Sequence, residues 1–145
     1  MAKMSIEGFE SLDDAFNRIA DIPFEVTSEA LTKMAGVAAD KIKSSGESMG
    51  VRDPESNVHI LDKIKPGKPK QTAGGGYCAI NFSGTRTRGK TKTRNAEIAF
   101  VNEYGKRGQD ARPFIKTAMT GSEEAIAKPG EEVIGDWIEH EFSKS

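Results

Sequence analysis

The stretch Gly84-Thr85-Arg86-Thr87-Arg88-Gly89-Lys90-Thr91 matches the pattern G-x-x-x-x-G-K-[ST]. In that motif backbone N–H groups cradle phosphates, the lysine reaches the outer phosphates and the hydroxyl holds magnesium. The stretch also comes after an expected strand, as a phosphate loop should. Against a nucleotide site, the interval is filled by β-branched or long side chains, and no later apolar strand ends in a magnesium-binding aspartate. Asp136 falls on a helical pattern instead. The roughly 54 residues after Thr91 are too few for the parallel sheet such enzymes need. A chance match is the better reading, with a P-loop nucleotide-binding protein kept as an alternative.

No other group of residues has the spacing of a catalytic or metal site. His59 and His140 are the only histidines, far apart and without a serine or cysteine motif that would make either a general base. Cys78, the single cysteine, is expected as a buried, inert thiol on the apolar face of a strand. Trp137 is expected in the core or at an oligomer interface. The expectation is a non-enzyme with no catalytic residues, metal or cofactor.

The motif stretch carries a different chemistry, a ribbon of threonines alternating with Arg86, Arg88, Lys90, Lys92 and Arg94. In an extended chain the two residue types fall on opposite faces. A hairpin about Gly89 with threonine across from threonine would set cation against cation, which is unfavourable without an anion nearby. That anion would be DNA phosphate, or the acidic terminal helix of a neighbouring copy or neighbouring ring. A solvated loop is the plain alternative. The five cations are therefore the candidate interface or DNA-facing residues, and a small DNA-binding module using 62–94 is a further alternative.

The charge distribution supports the partner idea. The chain of 145 residues has a net charge of -1. Between Asp62 and Arg94, however, nine cations face one acid, a balance of +8 that leaves -9 for the rest. From Gly121 to Phe142 seven acids stand against Lys128. Glu131, Glu132, Asp136 and Glu139 are the candidate acidic interface. Such segregation favours head-to-tail contact between copies.

Size and composition set the frame for these surfaces. The length suits one domain spanning 1–145, and 36% hydrophobic with 30% charged residues is polar for a globular chain. One cysteine forms no internal disulfide, so an intracellular folding compartment is expected. Glu7, Glu10, Asp13 and Asp14 stand where a secretory signal would be apolar, and no run reaches bilayer-spanning length, so a soluble protein without membrane contact is expected.

The positioning elements can be read from periodicity. Phe9, Leu12, Phe16 and Ile19 predict an amphipathic helix from about Gly8 to Ala20. After Pro23, the positions Val26, Ala30, Met34, Val37, Ala38 and Ile42 predict a longer helix ending near Ser44-Ser45-Gly46. Residues 46–76 read as a loop with one helical turn around Ile60, Leu61 and Ile64. Tyr77 to Ser83 alternates as a half-buried strand, with Cys78, Ile80 and Phe82 inward, and 84–94 is a basic loop or hairpin. Asn95 to Tyr104 fits two patterns, a strand face of Ala96, Ile98 and Phe100 or the helical spacing of Ala96, Ala99, Phe100, Glu103 and Tyr104, and is read as a short helix; Pro113 opens another that Gly121 closes, and Lys128-Pro129-Gly130 interrupts the segment after it. Ile134, Trp137, Ile138 and Phe142 mark the stripe of a terminal helix with an acidic outer face. The expected class is α+β: two N-terminal helices and a C-terminal helix packed on a small antiparallel sheet, with the long basic loop or hairpin projecting.

One segment resembles a known family. Asn95-Ala-Glu-Ile-Ala-Phe-Val-Asn-Glu-Tyr-Gly105, a short polar loop, then Ala111-Arg-Pro-Phe-Ile-Lys-Thr-Ala118 is similar to the head-to-tail joining or tail-completion proteins of long-tailed bacteriophages. The signature residues are Glu103, Tyr104, Gly105, Ala111, Arg112, Pro113 and Phe114. In that family the Ala-Arg-Pro-Phe element opens the last long helix. Two departures stand out: Lys106 comes after Gly105 where the family usually has threonine, and Lys128-Pro129-Gly130 breaks a helix that is often continuous. The resemblance implies a structural virion protein of the phage neck, assembled in the bacterial host cytoplasm. It further implies a homo-oligomeric ring, hexameric or matching the connector. That ring would contact head connector or adaptor proteins on one side and tail tube or tail terminator proteins on the other, with non-specific contact to packaged dsDNA. Physically, the signature residues suit a scaffold, with Gly105 for a positive φ and Phe114 as anchor. Glu103 is expected to pair with Arg112 or with the free N–H groups at the start of the next helix.

Overall fold

A computed structural model describes residues 21–51, 60–73, 75–88 and 90–143. The expected helix from Gly8 to Ala20 and His59 lie outside these residues. Helix α1, Phe24–Ser48, begins after Pro23, whose carbonyl accepts the Val26 and Thr27 N–H groups at 3.0 and 3.3 Å. Ala30, Ala35, Ala38, Ala39, Ile42 and Gly46 form its buried face. Small side chains there let neighbouring elements approach closely.

The expected stop at Ser44-Ser45-Gly46 is corrected by this helix. Gly46 lies inside it, where Leu61 occupies the space a Cβ would need. The helix ends one turn later at Gly50, whose φ of 71° fits glycine. Gly50 N–H donates to Glu47 O at 3.2 Å and Val51 N–H to Gly46 O at 2.8 Å, a Schellman closure that buries Val51.

Residues 46–76 are therefore not one loop. The expected helical turn is present as a 3-10 turn, Ile60–Lys63, with Ile60 and Leu61 buried. Strands β1 (Ile64–Pro66), β2 (Lys70–Thr72), β3 (Gly75–Tyr77) and β4 (Ile80–Phe82) come next as an antiparallel ribbon. Pro66 pairs with Ile80 and Lys70 with Tyr77, so residues 67–69 face only 78 and 79. This bulge divides the single strand expected from Tyr77 to Ser83. The faces follow the expected alternation except at the end: Cys78, Ile80 and Phe82 are half-buried and Ala79 and Asn81 exposed, but Ser83, expected outward, is half-buried, its hydroxyl donating to Lys63 O at 3.3 Å. Cys78 is not in the core; its thiol points to Gly67 O at 3.3 Å.

Strands β5 (Thr85–Arg88) and β6 (Thr91–Arg94) form a second ribbon, and α2, Asn95–Tyr104, starts at the next residue. The one small sheet of the expectation is thus three separate two-stranded antiparallel pairs. Helix α3, Phe114–Met119, is short, and Gly121, at a φ of 83°, separates it from α4, Glu123–Ser143. The signature Ala111–Phe114 consequently opens a six-residue helix and not the last long one.

Helix α4 also runs through Lys128-Pro129-Gly130, contrary to the expected interruption. Proline removes one N–H from the ladder, and packing against α1 overrides that local preference. Gly130 and Val133 are buried, and Met34 of α1 fills the space beside Gly130. The buried face is therefore centred on Gly130 and Val133. Ile134, Trp137 and Ile138 flank it half-buried, and Phe142 is exposed.

Ile42, Val51, Ile60, Leu61, Ala99, Phe114 and Ala118 make one core cluster, with Phe82 and Ile80 of the ribbon packed against it. The architecture is α+β, with helices enclosing a core that the paired strands cover in part.

Candidate functional site

The signature residues assemble into one structural unit between α2 and α3. Glu103, only 9% exposed near the end of α2, directs its carboxylate at the start of α3. Its Oε2 accepts the Ile115 N–H at 2.8 Å and its Oε1 the Lys116 N–H at 3.0 Å. A carboxylate is the favoured partner for the free N–H groups at a helix start. The neighbouring donors are also satisfied. Phe114 N–H reaches Arg112 O at 2.7 Å across Pro113, whose φ of -75° and ψ of 67° make an inverse γ-turn. Thr117 N–H reaches Pro113 O at 3.0 Å.

Of the two partners expected for Glu103, the structure thus selects the N–H groups. Arg112 turns away, its Nη1 donating to Gly50 O at 3.0 Å, and so ties the signature to the end of α1. Its backbone N–H donates to Asn102 O. Gly105, at a φ of 78°, turns the chain out of α2, and a Cβ there would stand 2.8 Å from Ala111 N. Phe114 is 0% exposed and meets Phe82 edge-to-face at 6.0 Å. Tyr104 and Ala111 are exposed, so their positions leave them accessible.

The basic stretch folds as the hairpin β5–β6, with Lys90 in its turn. Thr85 pairs with Arg94, Arg86 with Thr93, Thr87 with Lys92 and Arg88 with Thr91. Each cation thus stands opposite a threonine. The threonine-opposite-threonine register is corrected, and with it the direct cation opposition that would have demanded an anion. An antiparallel hairpin slipped by one residue exchanges its partners. The faces are unequal: Thr85, Thr87, Lys92 and Arg94 are exposed, whereas Arg86 and Thr93 are half-buried. Arg86 therefore does not share the outward surface with Lys92 and Arg94.

This hairpin also lacks the geometry of a phosphate loop. Residues 85–88 and 91–94 are held as a paired extended ribbon, and the chain after Lys90-Thr91 continues as a strand where a P-loop would begin a helix. Asn95 locks the hairpin to the body: buried, it donates N–H to Gly84 O at 3.0 Å and Nδ2 to Ser83 O at 2.8 Å.

The outward face of the hairpin continues onto α2. Arg94 Nε bonds Glu97 Oε1 at 3.0 Å, and beyond Glu97 the same exposed side carries Phe100 and Tyr104. The two rings lie 4.7 Å apart and are 62% and 69% exposed. The sequence pattern alone does not single out Phe100 as a surface residue. The signal for it is the helical spacing of Ala99 and Glu103: once these turn inward, Phe100 and Tyr104 must turn outward.

On α4, Glu131, Glu132, Asp136 and Glu139 are exposed and make no ion pair among the described residues. Among the described residues the hairpin and this helix pack chiefly on different elements. Helix α4 lies along α1, while the hairpin is carried by α2. Among the described residues no cluster of His, Cys, Asp and Glu is placed to hold a metal ion, and no helix is long and apolar enough to cross a membrane. Comparison of the chain with protein-family models, with curated proteins and with solved structures gives no match.

Proposed function

We propose that the chain is a non-enzymatic structural subunit of the neck of a long-tailed bacteriophage. In this role copies form a ring that joins or completes the tail at the head connector. One side of the ring contacts connector or adaptor proteins and the other contacts tail tube or terminator proteins, around a channel that passes dsDNA.

Support comes chiefly from the way the signature residues cooperate. Glu103, Gly105, Arg112 and Phe114, spread over the two blocks that carry the resemblance, build one interlocked unit through the Glu103 bonds to α3. A joint structural role of this kind is what a scaffold motif would require of these residues, and it supports the resemblance. The hairpin and α4 remain as charged surfaces for assembly.

Electron microscopy of virions carrying an epitope-tagged copy tests the proposal. Label at the head–tail junction is the expected result; virions with no label at the neck would overturn it.

A further inference from the structure

We infer that the exposed strip running from the β5–β6 hairpin onto α2 is the docking surface for the acidic outer face of α4 of a second copy. This rests on the ring reading and deepens it by naming the two surfaces that meet.

The strip is continuous. Lys92 and Arg94 project from the outward face of β6, Arg94 is bonded to Glu97, and Phe100 and Tyr104 lie further along α2. Lys90 adds a cation at the turn. Neither Lys90 nor Lys92 makes an ion pair among the described residues. The strip therefore combines free cations with a pair of exposed aromatic rings, the composition of an interface and not of an ordinary solvated face.

The occupant is chosen by charge. Glu132 and Glu139 are seven residues apart on α4, two helical turns, and with Glu131 and Asp136 they cover its exposed side. These acids are as unpaired within the described chain as the cations of the strip. The two surfaces belong to different elements, so mutual neutralisation takes two copies, each giving its strip to one neighbour and its α4 to another. That contact is heterologous, the kind that closes into rings. Nucleic acid would satisfy the cations alone and leave the acidic face of α4 unused.

The test is a charge exchange, read by sedimentation velocity of the full chain over a concentration series. Lys90→Glu/Lys92→Glu sets acid against acid, and Glu132→Lys/Glu139→Lys sets base against base. Each variant should weaken self-association by about tenfold or more. An equimolar mixture should restore it, because each variant then meets its complement in the other. All four positions are exposed, and unchanged thermal melting of each variant confirms that folding is intact. Self-association of the native chain that neither exchange alters, or that the mixture does not restore, would overturn the inference. So would a native chain that stays monomeric throughout. A monomer that binds duplex oligonucleotide, and loses it with Lys90→Glu/Lys92→Glu, would identify the strip as a nucleic-acid surface instead. None of these failures bears on location in the virion, which the labelling experiment reads separately.

Discussion

The carboxylate of Glu103 accepts the backbone N–H of Ile115 at 2.8 Å, and this bond joins the end of α2 to the start of α3 across a tight loop. Its second oxygen holds the next N–H, of Lys116, so one side chain caps a short helix that has little stability of its own.

Replacing this carboxylate should therefore cost more than an ordinary surface change. Glu103→Ala is expected to lower stability by about 2 kcal/mol, since it strips both N–H groups of their acceptor. Glu103→Gln should cost about half as much, because the amide keeps one acceptor oxygen. Arg112 bonds elsewhere, so Glu103→Ala and Arg112→Ala should add to within about 0.5 kcal/mol. Urea denaturation of the native chain, the two single variants and the double variant measures this; a coupling well above that value would show a Glu103–Arg112 interaction.

Gly105 and Gly108 separate backbone strain from steric conflict. Both have positive φ, 78° and 85°, but only Gly105 has backbone close to where a Cβ would be placed. Gly108→Ala should cost about 1 kcal/mol. Gly105→Ala should cost about 2 kcal/mol or more, because the Ala111 backbone must also move. Equal melting temperatures for the two variants would contradict this.

Among the described residues Phe114 is the largest fully buried side chain of the core. Phe114→Ala should destabilise by roughly 3–5 kcal/mol through lost burial and the cavity left against Phe82. Phe114→Leu, which keeps most of the volume, should lose less than about 2 kcal/mol. Calorimetric unfolding of the pair distinguishes a packing anchor from a position that merely tolerates an aromatic ring.

Gly130 presents the opposite of the usual helix rule. In an exposed helix Gly→Ala gains about 1 kcal/mol. Here the added methyl meets Met34, so Gly130→Ala should destabilise in the native chain. In a Met34→Ala background the same change should stabilise. If its sign is the same in both backgrounds, as read by thermal melting, α1 and α4 do not meet at this position.

Much of the fold is legible from the residues one at a time. The 3.6-residue periodicity of Ala30, Met34, Ala38 and Ile42 and the alternation of Cys78, Ile80 and Phe82 report which faces turn inward, because burial acts on each side chain locally. Gly105 is readable as a turn for a similar local reason, whereas the pattern of Asn95–Tyr104 fits both a strand and a helix and the structure makes it a helix with Phe100 and Tyr104 outward. Features set by a neighbour distant in sequence are not legible in this way. Gly46 looks like a helix stop and is a point of contact with Leu61; Pro129 looks like a break and lies within a helix held against α1.

The basic hairpin shows where the division falls. Sequence alone determined that threonines and cations alternate, that a glycine stands at the centre and that charge is segregated from the acidic C-terminal region. It left the register open, because a turn longer or shorter by one residue exchanges every cross-strand partner without altering the pattern. Tertiary structure decided it by anchoring Asn95 to Ser83 and Gly84 and pairing Thr85 with Arg94. That anchoring sets each cation opposite a threonine, turns Arg86 inward, and leaves Lys92 and Arg94 in line with Phe100 and Tyr104 on the surface.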